Sequence, residues 1–273
     1  MLTTMNELLV AARKEKRAVG AFNVGNYETL LAVFRGAESA GLPVIVQFYE
    51  RVVNNGHGEP LVAAARALAE RSSVPVAIHL DHGSTLEVVD RAIAAGCTSV
   101  MIDGSRLSFD ENVAITLEAV KLARAAGVTI EAEIGHVAQG DEGRDANLQE
   151  SVKFFEATGV DALAVAVGTA HGFYAEEPKI DLTLASQLAD AIPVPLVLHG
   201  GSGTPQDKVR ALIASGFAKI NVATEFQYDY QLKLKARLNE VQKFFAVDLL
   251  EAPVVDSSAE FIAQQLKFFA GVK

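Results

Sequence analysis

A closed (β/α)8 barrel, the TIM-barrel class of α/β fold, is what this sequence predicts, and three observations predict it. Eight short apolar runs recur along the 273 residues. Alanine-rich, helix-like segments separate most of them, the signature of repeated βαβ units around a parallel sheet. No linker, low-complexity tract or charge block divides the chain, so residues 1–273 are expected to form one domain, a usual length for a single barrel. An open, doubly wound sheet is the alternative; eight units in unbroken succession favour closure.

Taken in order, the N-terminal stretch sets Leu8, Leu9 and Ala12 against Arg13, Lys14, Glu15 and Lys16, as a surface helix does. It holds no apolar run long enough for a signal peptide or a membrane span, and cytoplasmic residence is expected. The predicted strands are Val19–Val24, Val44–Phe48, Val76–Leu80, Ser99–Ile102, Thr129–Ile134, Ala162–Val167, Leu196–Leu198 and Ala218–Val222. They lack steady alternation, as strands covered on both faces do. Helix-like runs end at Gly41, Gly96, Gly127, Gly159 and Gly216, where glycine closes a last helical turn in the left-handed conformation. Beyond residue 240 one amphipathic stretch, Ser258 to Phe269, predicts a closing helix in a C-terminal extension.

Half of the residues are hydrophobic, enough for a sizeable core. A formal charge of −10 argues against nucleic-acid and anionic-membrane partners, which require a basic face. The single cysteine, Cys97, excludes a disulfide framework and Cys-rich zinc motifs. Its apolar neighbourhood predicts a small buried residue.

Polar residues gather where the predicted strands end, the face on which barrel chemistry is built. Strand three ends His79-Leu80-Asp81-His82-Gly83; His171 follows strand six and His199 ends strand seven. Single histidines at such places are usually structural. Three converging on one rim, each beside a glycine, suggest a catalytic Zn²⁺ site with three imidazole ligands and an open position. Asp81, next to a ligand, is placed to hold or give a proton or to orient a histidine ring. Glu133 is expected to support the ligands, and Asp103 to do so too, to take part in catalysis, or to cap Ser105. His79 is expected to point away from Asp81 along the strand, as a packed or supporting residue. His57 and His136 carry no spacing argument.

Glycines argue separately. His199-Gly200-Gly201-Ser202-Gly203 precedes a helix starting near Pro205, and Asn221-Val222-Ala223-Thr224 follows strand eight. Backbone N–H groups at helix N-termini after strands seven and eight form a common phosphate site of barrel enzymes. The polar, glycine-rich stretch 135–147 is long for a βα loop and suits a lid.

Together these residues resemble the class II, metal-dependent ketose-bisphosphate aldolases, of the fructose- or tagatose-bisphosphate type. The resemblance rests on Ala21-Phe22-Asn23-Val24, His79-Leu80-Asp81-His82-Gly83, Met101-Ile102-Asp103-Gly104-Ser105, Glu131-Ala132-Glu133-Ile134-Gly135, Gly168-Thr169-Ala170-His171-Gly172, Leu198-His199-Gly200 and Lys219-Ile220-Asn221-Val222-Ala223-Thr224-Glu225. It implies reversible aldol cleavage of a phosphorylated ketose to dihydroxyacetone phosphate and an aldehyde. It also implies zinc on His82, His171 and His199, and Asp81 exchanging the C4 hydroxyl proton. Asn23, Gly172, Gly200, Gly201, Ser202, Asn221, Val222, Ala223 and Thr224 would bind substrate. A monovalent cation (Na⁺ or K⁺) near the phosphate and a homodimer or homotetramer are implied as well, the latter using the apolar tail around Phe244, Phe245, Leu249 and Leu250.

Three departures bear on the substrate. The loop after strand five lacks the family's Gly-Gly-acid run, leaving Asp141 or Glu142, with Glu142 favoured, to exchange the proton on the dihydroxyacetone phosphate carbon. After strand two, Gln47-Phe48-Tyr49-Glu50-Arg51 replaces small or hydroxyl residues. No arginine follows Arg237 to meet a second phosphate, for which Arg51 and Arg106 are the candidates. A metal-dependent barrel hydrolase or isomerase, and a non-catalytic relative, are the competing functions.

Overall fold

Short β-branched and alanine-rich runs become strands almost where the pattern predicts them. The computed structural model describes residues 1–138, 143–174, 176–241, 243 and 245–272. Helix α1 (Met5–Lys14) leads into β1 (Val19–Asn23), α2 (Tyr27–Ala40) and β2 (Val44–Tyr49). Next come α3 (Glu50–Asn54), α4 (Gly58–Arg71), β3 (Val76–Gly83), α5 (Leu86–Ala95), β4 (Ser99–Ile102), α6 (Phe109–Ala126) and β5 (Thr129–Ile134). The chain continues through α7 (Leu148–Thr158), β6 (Ala162–Val165), α8 (Leu182–Ala191), β7 (Leu196–Leu198) and α9 (Gln206–Ser215). It ends with β8 (Phe217–Val222), α10 (Thr224–Glu240) and α11 (Val247–Ala270). All neighbouring strands pair in parallel and β8 returns to β1, closing the barrel. Closure rules out the open sheet.

Local signals act as the sequence suggests. Gly41, Gly96, Gly127 and Gly159 take the left-handed conformation at helix ends, whereas Gly216 ends α9 at φ 135°. Thr4 with Glu7 and Ser108 with Glu111 form capping boxes, each satisfying two otherwise orphaned donors. Cys97 is buried.

Two differences from expectation have simple causes. Helix α1 is not merely superficial: Met5, Leu9 and Ala12 are buried against Val19, Ala21, Ile45, Ala77, Ala162, Ala164, Val197 and Ala218. These small strand residues leave room at the N-terminal end of the barrel, and α1 plugs it. The closing helix begins eleven residues before Ser258, at Val247, and carries Pro253 within it. Its apolar stripe, including Val255, Ile262, Leu266 and Phe269, is buried, and tertiary burial extends helices beyond what local periodicity reveals. Phe245 and Leu249 are 39 % and 57 % exposed; Phe244 lies outside the described residues. No helix among the described residues is long and apolar enough to cross a membrane.

Gly36 sets the spacing of α2 and α11. A Cβ there would lie 2.6 Å from both the Ala259 carbonyl oxygen and Ile262 Cβ, and neither is a flexible tip. Gly36→Val is therefore expected to destabilise the fold by about 1–3 kcal/mol. The check is the midpoint of chemical denaturation, which should fall at an unchanged slope.

Candidate active site

The site begins with an irregularity in β3. Consecutive strand side chains normally point to opposite faces, which would separate Asp81 from His82. The β3–β4 register shifts between Leu80 and Gly83, and His82 takes φ +54°, a conformation uncommon outside glycine. Asp81 stays on the barrel axis while His82 swings across the mouth to His199.

His171 follows β6 and His199 follows β7, and with His82 their ligand nitrogens lie within 4.8 Å of one another. His82 Nε2 and His199 Nδ1 are 2.9 Å apart. Each ring is held from behind: His82 Nδ1 lies 2.7 Å from Asp103 Oδ2, and His199 Nε2 lies 2.8 Å from Glu131 Oε1. Ionised carboxylates only accept hydrogen bonds, so each ring donates backward and turns its other nitrogen forward. Two facing nitrogens at that separation hold a positive charge between them, either the His82 proton or a metal ion.

Charge supports the same conclusion. Burial opposes a cation on His82, yet Asp81, Asp103 and Glu133 outweigh it and lift its pKa to about 10. Burial pushes His199 well down and His171 to about 4, leaving neutral imidazoles. His171 Nε2 and Glu133 Oε2 are buried without hydrogen-bond partners among the described residues. Two neutral imidazoles, a third whose proton a metal ion would displace, and carboxylate support match the donor chemistry of Zn²⁺, and the residues fit a metal ion. His82, Asp103 and Glu133 form an overlapping second group of possible ligands.

Asp81 stands beside this cluster, its Oδ1 4.0 Å from His82 Nε2. Asn23 donates to Asp81 Oδ2 at 2.7 Å and Asn221 to Oδ1 at 3.2 Å, while Gln47 donates to Asn23 Oδ1 at 2.7 Å. Burial works against the ionised form of Asp81, but the histidines, Lys219 and the Asn23 amide hold its pKa low. A cleft opens above it, lined by Asn23, Tyr49, His171, Gly172, Gly200, Ser202, Asn221, Ala223 and Thr224. Ala223 and Pro205, the residues capping α10 and α9, offer no side-chain oxygen to the first helical turns.

Not every predicted residue reaches the cleft. Gly201 donates its N–H to the Asn221 carbonyl, and Val222 is buried in the core between strands and helices. Asp103 does two predicted things at once, holding His82 and accepting from the Ser105 N–H at 3.0 Å. Glu133 accepts from the Val137 N–H at 3.0 Å, with Oε2 3.8 Å from His199 Nδ1. Burial and Asp103 raise its pKa to about 8. Arg106 is exposed and does not line the cleft. Asp141 and Glu142 lie outside the described residues; the flanking loop is tied down by pairing of His136 with Arg144 and by Ala138 accepting from the His171 N–H.

His79 requires a correction. It does not point away from Asp81, because residues two apart in a strand share a face. It lies one layer deeper, with Nδ1 2.9 Å from Ser99 Oγ and Nε2 3.5 Å from Glu131. Sequence reasoning also missed Lys219, which is fully buried and donates to Glu131 Oε2 at 2.8 Å. A signal existed: a lysine in the apolar run Phe217–Val222, two residues before Asn221, shares that residue's inward face. Tyr49 was noted only as a departure; register places it opposite Asp81. Burial first, then the Asp81 charge, pushes its phenol pKa upward, so it stays an O–H donor.

A parallel barrel with buried imidazoles, carboxylates and helix N-termini at the C-terminal ends of its strands is the architecture of a barrel enzyme. The chain belongs to the class II fructose-bisphosphate aldolase family, whose model matches residues 3–272, and it is an aldolase, a carbon–carbon lyase. It is 36 % identical to the 6-phospho-5-dehydro-2-deoxy-D-gluconate aldolase of Halalkalibacterium halodurans, over 98 % of this chain and 96 % of that protein. Identity to the fructose-bisphosphate aldolase of Thermus caldophilus is 37 %, over 100 % and 99 %. Among solved structures, the YdjI aldolase of Escherichia coli K12 superimposes with a TM-score of 0.90 at 34 % identity, covering 98 % of this chain and 97 % of that one.

Replacing Glu131 tests the support behind His199. Glu131→Gln is expected to weaken Zn²⁺ binding about 10–100-fold, measured by competition with a chromophoric chelator. Unchanged affinity would mean that the carboxylate does not orient the ring.

Proposed function

We propose that this chain catalyses zinc-dependent, reversible aldol cleavage of a phosphorylated ketose to dihydroxyacetone phosphate and an aldehyde. The observation that carries the proposal is the placement of Asp81. Its ionised carboxylate is held by two amides between the three histidines and a cleft ending at the starts of two helices.

Each half of the reaction has its residues. Gly172, Gly200, Ser202, Ala223 and Thr224 line the end of the cleft where α10 begins, and a helix N-terminus favours a phosphate. His82, His171 and His199 would hold Zn²⁺, which when bound supplies a Lewis acid for the ketone oxygen. Asp81 accepts the C4 hydroxyl proton as the C3–C4 bond breaks, and returns it to the aldehyde oxygen in condensation. Asn23 and Asn221 keep its two oxygens oriented throughout. Glu142, in preference to Asp141, is assigned the proton on the dihydroxyacetone phosphate carbon.

The relatives' names support a common ketose half. Fructose bisphosphate and 6-phospho-5-dehydro-2-deoxygluconate both contain a dihydroxyacetone phosphate portion and differ in the remaining carbons. Family membership favours this chemistry over a hydrolase or isomerase using the same histidines.

Asp81→Asn keeps the shape and removes the base. Its kcat for cleavage is expected to fall about 10²–10⁴-fold with zinc content retained, followed by a coupled assay for dihydroxyacetone phosphate. Prolonged treatment with a strong chelator should abolish cleavage, and added Zn²⁺ should restore it. Full activity in metal-free protein would sink the zinc mechanism.

A further inference from the structure

Three helices of the outer ring bring together oxygens that no step above uses. Helices α2 and α11 pack along each other, with Gly36 against Ala259 and Ile262 and with Arg35 paired to Asp256. Glu28 and Glu251 each lie about two turns before those contacts, and their carboxyls are within hydrogen-bonding reach of each other. Helix α10 meets α11 as well: Phe226 stacks on Phe261 with ring centroids 6.4 Å apart, and Lys233 donates to the Ser257 carbonyl at 2.7 Å. Residues three and four apart share a helix face, so Tyr230, between Phe226 and Lys233, turns the same way.

The chemistry left there is incomplete. Tyr230 is 5 % exposed, and its buried hydroxyl has no hydrogen-bond partner among the described residues, an arrangement that costs stability. Burial first, and then the charges of Glu251 and Glu28, push its pKa upward, so it stays a neutral phenol with lone pairs to offer. Burial and then the Glu28 charge raise the pKa of Glu251 in the same way. Neither carboxylate has an ion-pair partner among the described residues. The cations on these helices are engaged elsewhere, Lys233 with Asp229, Arg35 with Asp256 and Arg237 with Glu240. Two carboxylates at such range repel unless a proton or a cation lies between them. A shared proton serves only the two carboxyls and leaves the hydroxyl unanswered, whereas a hard cation takes all three oxygens.

We propose that Glu28, Glu251 and the Tyr230 hydroxyl form a binding site for a hard divalent cation of the calcium class, which fastens α11 to α2 and α10. Every donor is an oxygen, the preference of Ca²⁺ rather than Zn²⁺. Both carboxylates are half-buried, which leaves room for the waters that complete such a shell. The site is separate from the three histidines, since none of its residues lines the cleft. With two carboxylates as its charged ligands, its dissociation constant is expected at about 10⁻⁴–10⁻³ M.

The test uses the whole zinc-loaded chain and Tb³⁺, a luminescent stand-in for Ca²⁺. The sequence holds no tryptophan, so ultraviolet excitation reaches bound Tb³⁺ from a nearby tyrosine. The parent should give sensitised emission that Ca²⁺ displaces, and Tyr230→Phe should lose most of it. Glu28→Gln combined with Glu251→Gln should weaken Tb³⁺ binding about ten-fold or more. Excess Ca²⁺ should also raise the Tm of the parent by mass action and leave that of the double variant unchanged. Glutamine keeps the size of each carboxyl, so the variants compare directly with the parent. Tyr49 lines the cleft, so emission that survives in Tyr230→Phe reports Tb³⁺ in the cleft and overturns the assignment. A parent without Ca²⁺-displaceable emission overturns it too, as does a Ca²⁺-induced Tm shift of equal size in the double variant.

Discussion

Carboxylates buried behind histidines are the constraint on which the mouth of this barrel depends. Asp103 and Glu131 each take the back nitrogen of one ring, which decides the tautomer and aims the other nitrogen forward. Burying a charge is costly unless it is paired and hydrogen-bonded. Glu131 meets that condition through Lys219, itself fully buried, and His199. Removing Lys219 or Glu131 would leave the other's charge stranded, so the network acts as a unit that holds the histidine geometry rather than as a source of net stability.

The barrel accommodates this polar layer by separating it from the apolar one. Toward the N-terminal end its interior is alanine, valine and isoleucine, closed by Met5 and Leu9 of α1. Above lie Gln47, His79, Ser99, Glu131 and Lys219, and then Asn23, Asp81, Glu133, His199 and Asn221. The strand Phe217–Val222 supplies Ala218 to the apolar plug, then the buried Lys219 and the Asn221 amide, within six residues. One irregular backbone step serves this arrangement at His82, where a left-handed residue turns two adjacent side chains into the same opening, and the β7–β8 register shifts between Leu196 and Val197.

Much of the fold was legible in the sequence because its determinants are local. Strand runs, closing glycines and capping boxes each act within a few residues, and burial on both faces shows in the absence of alternation. The histidine triad and Asp81 were legible for a different reason: barrel topology requires strand ends to share one rim, so residues distant in sequence are neighbours by construction. Pairing partners were not legible. Lys219 finds Glu131 across the barrel, and Arg51 finds Tyr49 by stacking; no spacing in one dimension encodes either contact. His79 was assigned the wrong direction although strand periodicity alone orients it correctly.

The chain by itself determined a parallel αβ repeat, a rim carrying three histidines and an aspartate, and glycine-rich turns after β6 and β7. These follow from composition and period, which survive in any arrangement of eight such units. Tertiary structure alone decided which nitrogen of each ring faces forward, which amides hold Asp81, and that a lysine with no local partner would be neutralised inside the barrel. It also stacked the Arg51 guanidinium over the Tyr49 ring. Such choices depend on distances of a few ångströms between strands that are far apart in sequence. Those distances exist only once closure brings β8 back to β1.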